Sequence, residues 1–237
     1  MNISVCIATY NGAKYIKPQL MSILKQLGDD DEVIISDDSS TDETVEIIKQ
    51  LNDSRIKLYT NMQFRSPILN FEHAISKATG DYIFLADQDD EWDPAKVNTL
   101  LPLMRQKILA ASYFTFIDSN STNIVDNVKN LPHKSFIYNF IKPSIPGCCM
   151  AFRSELKSRI LPFPKGIAMH DWWITLVAAM HNQIAITQKP LVRIRRHETN
   201  YSTTGSKSKF SLKQKLAIRF SILKQVFTNL YALKRHK

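Results

Sequence analysis

Glycine is scarce in this chain, at 6 of 237 residues, and cysteine scarcer, at 3. So little glycine excludes collagen-like and low-complexity chains. Cys6, Cys148 and Cys149 are too few for a disulfide framework, and two are neighbours, which fits a reducing compartment. No apolar run approaches the roughly 18 residues that a membrane-spanning helix needs. No basic stretch precedes the apolar run of MNISVCIATY, so no secretory signal is expected. No period of 20–50 residues recurs, which argues against a repeat fold. Acidic residues are missing from one place: residues 206–237 carry nine Lys and Arg and no Asp or Glu. The chain has 31 basic and 22 acidic residues, so the rest balances at 22 against 22. A neutral domain with a basic attachment is expected, rather than a generally basic nucleic-acid binder.

What is present is a 44% hydrophobic chain, enough for a full core. Residues 3–8, 32–36, 55–60 and 81–86 are short apolar runs that read as strands. Between and after them, residues 13–27, a stretch from Ser40 or Thr41 to Leu51, residues 67–79 and residues 94–105 have helical spacing. Ser40 or Thr41 is the expected cap of the second helix. Four rounds of strand and helix imply an α/β fold with a mostly parallel sheet and helices on both faces. Ligands of such sheets sit beyond the carboxyl ends of the strands. The second half is less regular. It predicts strands at 111–117, 184–187 and 191–196, a polar loop at 118–130, a turn into a strand at 144–152 and a helix at 169–181.

Polar clusters fall at the expected binding edge. Asp87-Gln88-Asp89-Asp90 follows the fourth strand. Crowded carboxylates repel unless a cation or solvent relieves them, and hard oxygen ligands suit Mg²⁺ or Mn²⁺. The alternative is a solvated acidic turn ahead of the helix at Pro94. Asp37-Asp38-Ser39-Ser40-Thr41 follows the second strand and reads either as helix capping or as nucleoside recognition. Asp171 opens a helix, where the dipole favours an anion; it is a cap or a general base. Cys148 and Cys149 lack the further ligands of a zinc site, so packing is expected of them.

Three segments carry a resemblance. Val5-Cys6-Ile7-Ala8-Thr9-Tyr10-Asn11-Gly12, Ile34-Ile35-Ser36-Asp37-Asp38-Ser39-Ser40-Thr41-Asp42 and Gly80 to Trp92 resemble, in order and spacing, family 2 glycosyltransferases of the GT-A fold. Asp87-Gln88-Asp89-Asp90 with Trp92, and later His170-Asp171-Trp172-Trp173, are similar to the rhamnosyltransferase-like branch that builds bacterial surface polysaccharides. The resemblance implies that Thr9 and Tyr10 touch the base of a nucleotide-sugar donor and that Asp38 accepts from its ring, with Asp37 beside it. Asp87 would contact ribose or sugar, Asp89 would ligate Mg²⁺ or Mn²⁺, and Asp171 would be the base of an inverting transfer to a glycan or lipid-linked glycan acceptor. Gln88 stands at the second acidic position of the metal motif, which the pattern tolerates. His197 would reach the diphosphate or the metal, and Arg195 or Arg196 would offset phosphate charge.

The expected domains are 1–205, with a nucleotide-binding half at 1–105 and an acceptor half at 106–205, and a basic C-terminal segment at 206–237. Leu212, Leu216, Phe220, Leu223, Phe227 and Leu230 form one stripe at about 100° per residue, with Ile218 and Ile222 outside it. Such a basic helix lies on an anionic membrane surface or docks on the domain. A cytoplasmic protein, peripheral on the inner face of the membrane and without a nucleic-acid partner, is the expectation. A nucleotidyltransferase is the enzyme alternative, but Thr9-Tyr10-Asn11-Gly12 is not its Gly-rich phosphate loop. A membrane-attached binding protein with a decayed site would have lost carboxylates that are all present here.

Overall fold

The computed structural model describes residues 1–124, 131–197, 219–220 and 222–226. Strands β1 (Ile3–Thr9), β2 (Glu32–Asp37), β3 (Ile56–Tyr59) and β4 (Tyr82–Asp87) fall where the apolar runs predict them. They alternate with helices α1 (Ile16–Leu24), α2 (Thr44–Gln50) and α3 (Pro67–Lys77). After β4 come β5 (Glu91–Trp92), α4 (Lys96–Met104), β6 (Leu109–Ile117), β7 (Asn123–Ile124) and α5 (Phe136–Ile141). The chain ends its described fold with β8 (Met150–Arg153), the short α6 (Lys157–Ile160), α7 (His170–Met180) and β9 (Ile184–Arg195).

The strands join one sheet in the order β3-β2-β1-β4-β8-β6-β9-β5, with β7 beside β6. The β3-β2-β1-β4 half is parallel, as the alternation requires. β8 runs antiparallel to both β4 and β6, so the sheet is mixed. The two short strands expected at 184–187 and 191–196 are one strand, β9, which follows β6 in parallel through an irregularity near Tyr113 and Pro190. Pro190 lacks a ladder donor, which is why the pattern breaks there without ending the strand.

Period-two alternation sends side chains to two cores. Val5, Ile7, Val33, Ile35, Phe84 and Ala86 face the helices α1, α2 and α4. Cys6, Ile34, Ile83 and Leu85 face α3 and α7. Both faces are covered, which leaves the strand ends as the place for a ligand.

Three local expectations are corrected. α2 is not capped by Ser40 or Thr41: it starts at Thr44, and those hydroxyls serve a neighbouring loop instead. Helix α5 lies in a stretch for which the sequence reading gave no element; Ser135 caps it, its Oγ accepting from Tyr138 N at 3.4 Å. In residues 219–226 it is Ile222 and Val226 that enter the core beside α7, while Phe220 on the predicted stripe is 74% exposed. Leu212, Leu216, Phe227 and Leu230 lie outside the described residues. Among the described residues, no helix is long and apolar enough to cross a membrane.

Candidate active site

The site forms where β1, β2 and β4 end. The loop after β1 and the loop after β2 are zipped together by side chains that accept from backbone. Ser40 Oγ accepts from Asn11 N at 2.9 Å, Thr44 Oγ1 from Gly12 N at 2.8 Å and Asp42 from Ala13 N at 3.0 Å. Asn11 Oδ1 returns the favour to Thr41 N at 2.8 Å. Asn11 adopts φ 50° and Ser39 φ 62°, left-handed turns that such hydrogen bonds hold in place. These loops explain the run of Asp, Ser and Thr residues without a capped helix.

Asp37 is buried, and its carboxylate takes Thr9 Oγ1 at 2.8 Å, Ser40 Oγ at 2.6 Å and Ser40 N at 2.9 Å. The Asp37 carboxylate therefore braces the loop. Thr9 is equally buried, and its hydroxyl donates to Asp37. Tyr10 is exposed beside it. Asp38 accepts from Phe64 N at 2.6 Å and Ser66 N at 3.3 Å, which ties the strand end to the residues ahead of α3.

Gln88 joins the first and fourth strand ends. Its Oε1 accepts from Tyr10 N at 2.9 Å and its Nε2 donates to Tyr10 O at 3.1 Å. A Cβ on Gly12 would stand 2.5 Å from Gln88 Oε1, so only glycine lets this amide seat itself. A carboxylate at position 88 would accept but not donate, which gives the amide a reason of its own.

The acids are arranged in two groups. Asp89 Oδ2 lies 2.8 Å from His197 Nε2 at the end of β9, and the His197 ring is tilted 4.9 Å from Tyr15. Asp87, Asp90 and Cys148 present ligand atoms within 4.8 Å of one another. Asp90 accepts from Arg195 N at 3.0 Å through Oδ1, while its buried Oδ2 has no protein partner. Desolvation pushes Asp87 up to about 7, with the charges of Asp89 and Asp171 adding to it. Asp90 is raised well above the usual carboxylate range by burial and by Asp89 and Asp87. Acids held in this state are relieved by a cation.

One internal cation stands beneath them. Lys96 is fully buried on α4, donates to Cys148 O at 2.6 Å and sits 3.8 Å over the Trp92 ring. Burial lowers its amine to about 8, against the opposing pull of Cys149, Cys148, Asp90 and Asp87. The sequence reading did not single it out, although a lysine in step with buried Val97, Leu100 and Met104 was the available sign. Cys148 is buried as expected, yet it faces the acids rather than plain core.

Arg195 does not face a ligand. It is 1% exposed, and it donates to Asp89 O at 2.9 Å, Asp118 O at 2.9 Å and Glu91 Oε1 at 2.6 Å while lying 4.7 Å over the Tyr15 ring. It braces the acidic turn against β9, and Glu91 completes that brace by pairing with Arg193 at 2.8 Å. The Arg196 guanidinium lies 4.1 Å over Phe116.

Asp171 begins α7, as expected, and its Oδ2 accepts from Gly147 N at 3.2 Å while Oδ1 accepts from Trp172 N at 2.6 Å. Burial pushes it up to about 6, although hydrogen bonds from Trp172 and Gly147 pull the other way. Trp172 and Trp173 are both core, with Nε1 donating to Asn139 O at 2.7 Å and Ile160 O at 3.1 Å respectively. His170 is buried and stacked 4.1 Å from Phe71. A Cβ on Gly147 would come within 2.9 Å of His170 Nε2, so this glycine lets the turn close over α7.

The arrangement offers a partly exposed carboxylate–imidazole pair, a carboxylate at a helix start and an acid, Asp87, that feels both Asp89 and Asp171. Comparison with known proteins agrees with that chemistry. Residues 4–160 match the model of "Glycosyl transferase family 2". The chain is 29% identical to the dTDP-rhamnosyl transferase RfbG of Shigella flexneri over 227 residues, which is 88% of this chain and 77% of that protein. It is 26% identical over 183 residues to an Escherichia coli protein described as UDP-Glc:alpha-D-GlcNAc-diphosphoundecaprenol beta-1,3-glucosyltransferase WfgD, covering 77% of this chain and 72% of that one. Among solved structures, S. aureus TarS 1-349 in complex with UDP superposes with a TM-score of 0.70 at 20% identity, over 95% of this chain and 65% of TarS 1-349. The fold is thus of the GT-A kind, and the chain belongs to glycosyl transferase family 2 and is a glycosyltransferase of that family.

Proposed function

We propose that the protein moves a sugar from a UDP- or dTDP-sugar to a hydroxyl of a glycan or lipid-linked glycan acceptor in bacterial surface-polysaccharide synthesis, with inversion at the anomeric carbon. The observation that carries this is the placing of Asp171, at the start of α7, in electrostatic reach of the acidic turn after β4. Donor recognition is assigned to exposed Tyr10, to Asp38 and to Asp87, on a floor that Thr9 and Asp37 hold rigid. The RfbG and WfgD relatives, whose names specify dTDP- and UDP-linked donors, support that nucleotide class.

Asp171 accepts the proton of the acceptor hydroxyl, and the oxygen attacks the anomeric carbon as the bond to the diphosphate breaks. One displacement inverts configuration and needs no covalent enzyme intermediate. The N-terminus of α7 and the Gly147 N–H keep Asp171 an anion before it takes the proton. Carboxylate oxygen with one imidazole suits Mn²⁺ or Mg²⁺, and Asp89 and His197 are the residues that would hold it, with the unpartnered Oδ2 of Asp90 nearby in the same turn. When bound, such an ion supplies positive charge against the leaving diphosphate.

Asp171→Asn tests the assignment. Donor binding by calorimetry stays within a factor of about three, while transfer falls by about a hundredfold or more, the usual share of a general base. Full transfer by this variant would remove Asp171 as the base.

A further inference from the structure

Among the described residues outside the site, three strongly exposed apolar side chains, Ile137, Ile141 and Phe220, lie on two elements. On α5, Ile137 and Ile141 are 69% and 61% exposed, one helical turn apart on the same face. Their neighbours Phe136 and Phe140 pack inward against the core, so the helix has a docked side and an open side. The fold holds α5 firmly: Asn139 is buried, donating to His133 O and Ser135 O and accepting from Ser144 N and Ser144 Oγ. The exposed isoleucines therefore belong to a well-anchored helix.

The helical residues 219–220 and 222–226 extend this open side. Arg219 donates to Ile141 O at 2.5 Å, and Gln225 donates to Lys165 O at 3.0 Å. Ile222 and Val226 are buried beneath, which leaves Phe220 outward next to the end of α5. The charged residues next to these three side chains in sequence are basic. The sequence has no Asp or Glu from 131 to 154 and none from 199 to 237, while Lys134, Lys142, Arg219 and Lys224 flank them.

We propose that Ile137, Ile141 and Phe220 seat this face on an anionic lipid bilayer, with the flanking lysines and arginine at the headgroups. Apolar side chains standing out of a basic rim are the pattern that an interfacial helix presents to anionic lipid. Apolar residues with basic sequence neighbours suit anionic lipid better than a protein partner of ordinary mixed charge. The position also fits the chemistry. Asn139 of α5 accepts from Trp172 Nε1, and Trp172 follows Asp171, so the seated face lies one helix away from the base. This second point rests on the proposed lipid-linked acceptor, which would then reach Asp171 from the membrane side.

The test is co-sedimentation of the full chain with vesicles of phosphatidylcholine alone, or of equal parts phosphatidylcholine and phosphatidylglycerol. Wild type, the double variant Ile137→Asp/Ile141→Asp and Phe220→Asp are compared, with melting temperature and nucleoside-diphosphate binding measured on the same samples. Wild type is expected to bind the anionic vesicles and not the neutral ones, and each variant to lower that partitioning by about tenfold or more. Melting temperature and nucleotide binding should not move. Undiminished binding by the variants, or no binding by wild type, overturns the proposal. Variants that melt several degrees lower would show the face to be covered within the protein. Loss of a wild-type dimer in the variants would show that a second copy covers it. Nucleotide binding reports separately on the donor site, so failure at the membrane is distinguishable from failure of the transferase reading.

Discussion

At the residue scale, the raised pKa of Asp171 sets a pH dependence. Burial holds the carboxyl at about 6, so it is protonated below that pH and cannot accept from the acceptor hydroxyl. The rate of transfer should rise through pH 6 and fall about tenfold for each unit below it. A profile flat from pH 5 to 8 would mean that another group takes the proton. The residues at this scale divided clearly in the sequence. Asp171, Asp89 and His197 could be singled out because carboxylate and imidazole groups stand out at strand and helix ends. Thr9 and Asp37 were assigned to the donor because their types suit it, but the structure spends both on each other. Arg195 or Arg196 was expected to offset phosphate charge, and Arg195 is the buried brace of the acidic turn. A sequence shows which groups are present and leaves open which of them satisfy one another.

At the element scale, two joints set how well the site is held. Gln88 ties the end of β4 to the loop after β1 by two hydrogen bonds to Tyr10. Gln88→Ala removes both, at about 1 kcal/mol each at most in this exposed place. The Michaelis constant for the donor should rise about tenfold while turnover changes less, and steady-state kinetics would show it. The second joint is the docked C-terminal helix. Ile222→Ala leaves a hole beside α7 and should cost about 2–4 kcal/mol in denaturant melts, whereas Phe220→Ala, on the exposed side, should change stability by less than about 0.5 kcal/mol. Equal costs would mean that the predicted stripe, and not Ile222, faces the domain. The stripe was expected to lie on a membrane or to dock on the domain, and counting apolar residues at one spacing left Ile222 outside it. Ile222 and Val226 are themselves one turn apart and form a second, shorter face.

At the scale of the whole molecule, the parallel half of the sheet was legible because apolar runs and helical spacing alternate without interruption from residue 3 to 105. The other half was not. β8 and β6 pair antiparallel across the middle of the sheet, and β9 crosses a proline irregularity. Neither follows from local pattern, since pairing there is settled by residues that lie far apart in sequence. The two halves together put Asp38, Asp87 and Asp89 at the strand ends, with Asp171 in electrostatic reach of Asp87. The most direct test of that account is calorimetric binding of UDP, dTDP, GDP and ADP with and without Mn²⁺, on wild type and Asp89→Ala. The account predicts that UDP or dTDP binds, that Mn²⁺ tightens it, and that Asp89→Ala loses about tenfold or more of the metal-dependent part. A folded wild-type protein that binds none of the four nucleotides, or an Asp89→Ala variant that binds as well as wild type with Mn²⁺, would contradict it.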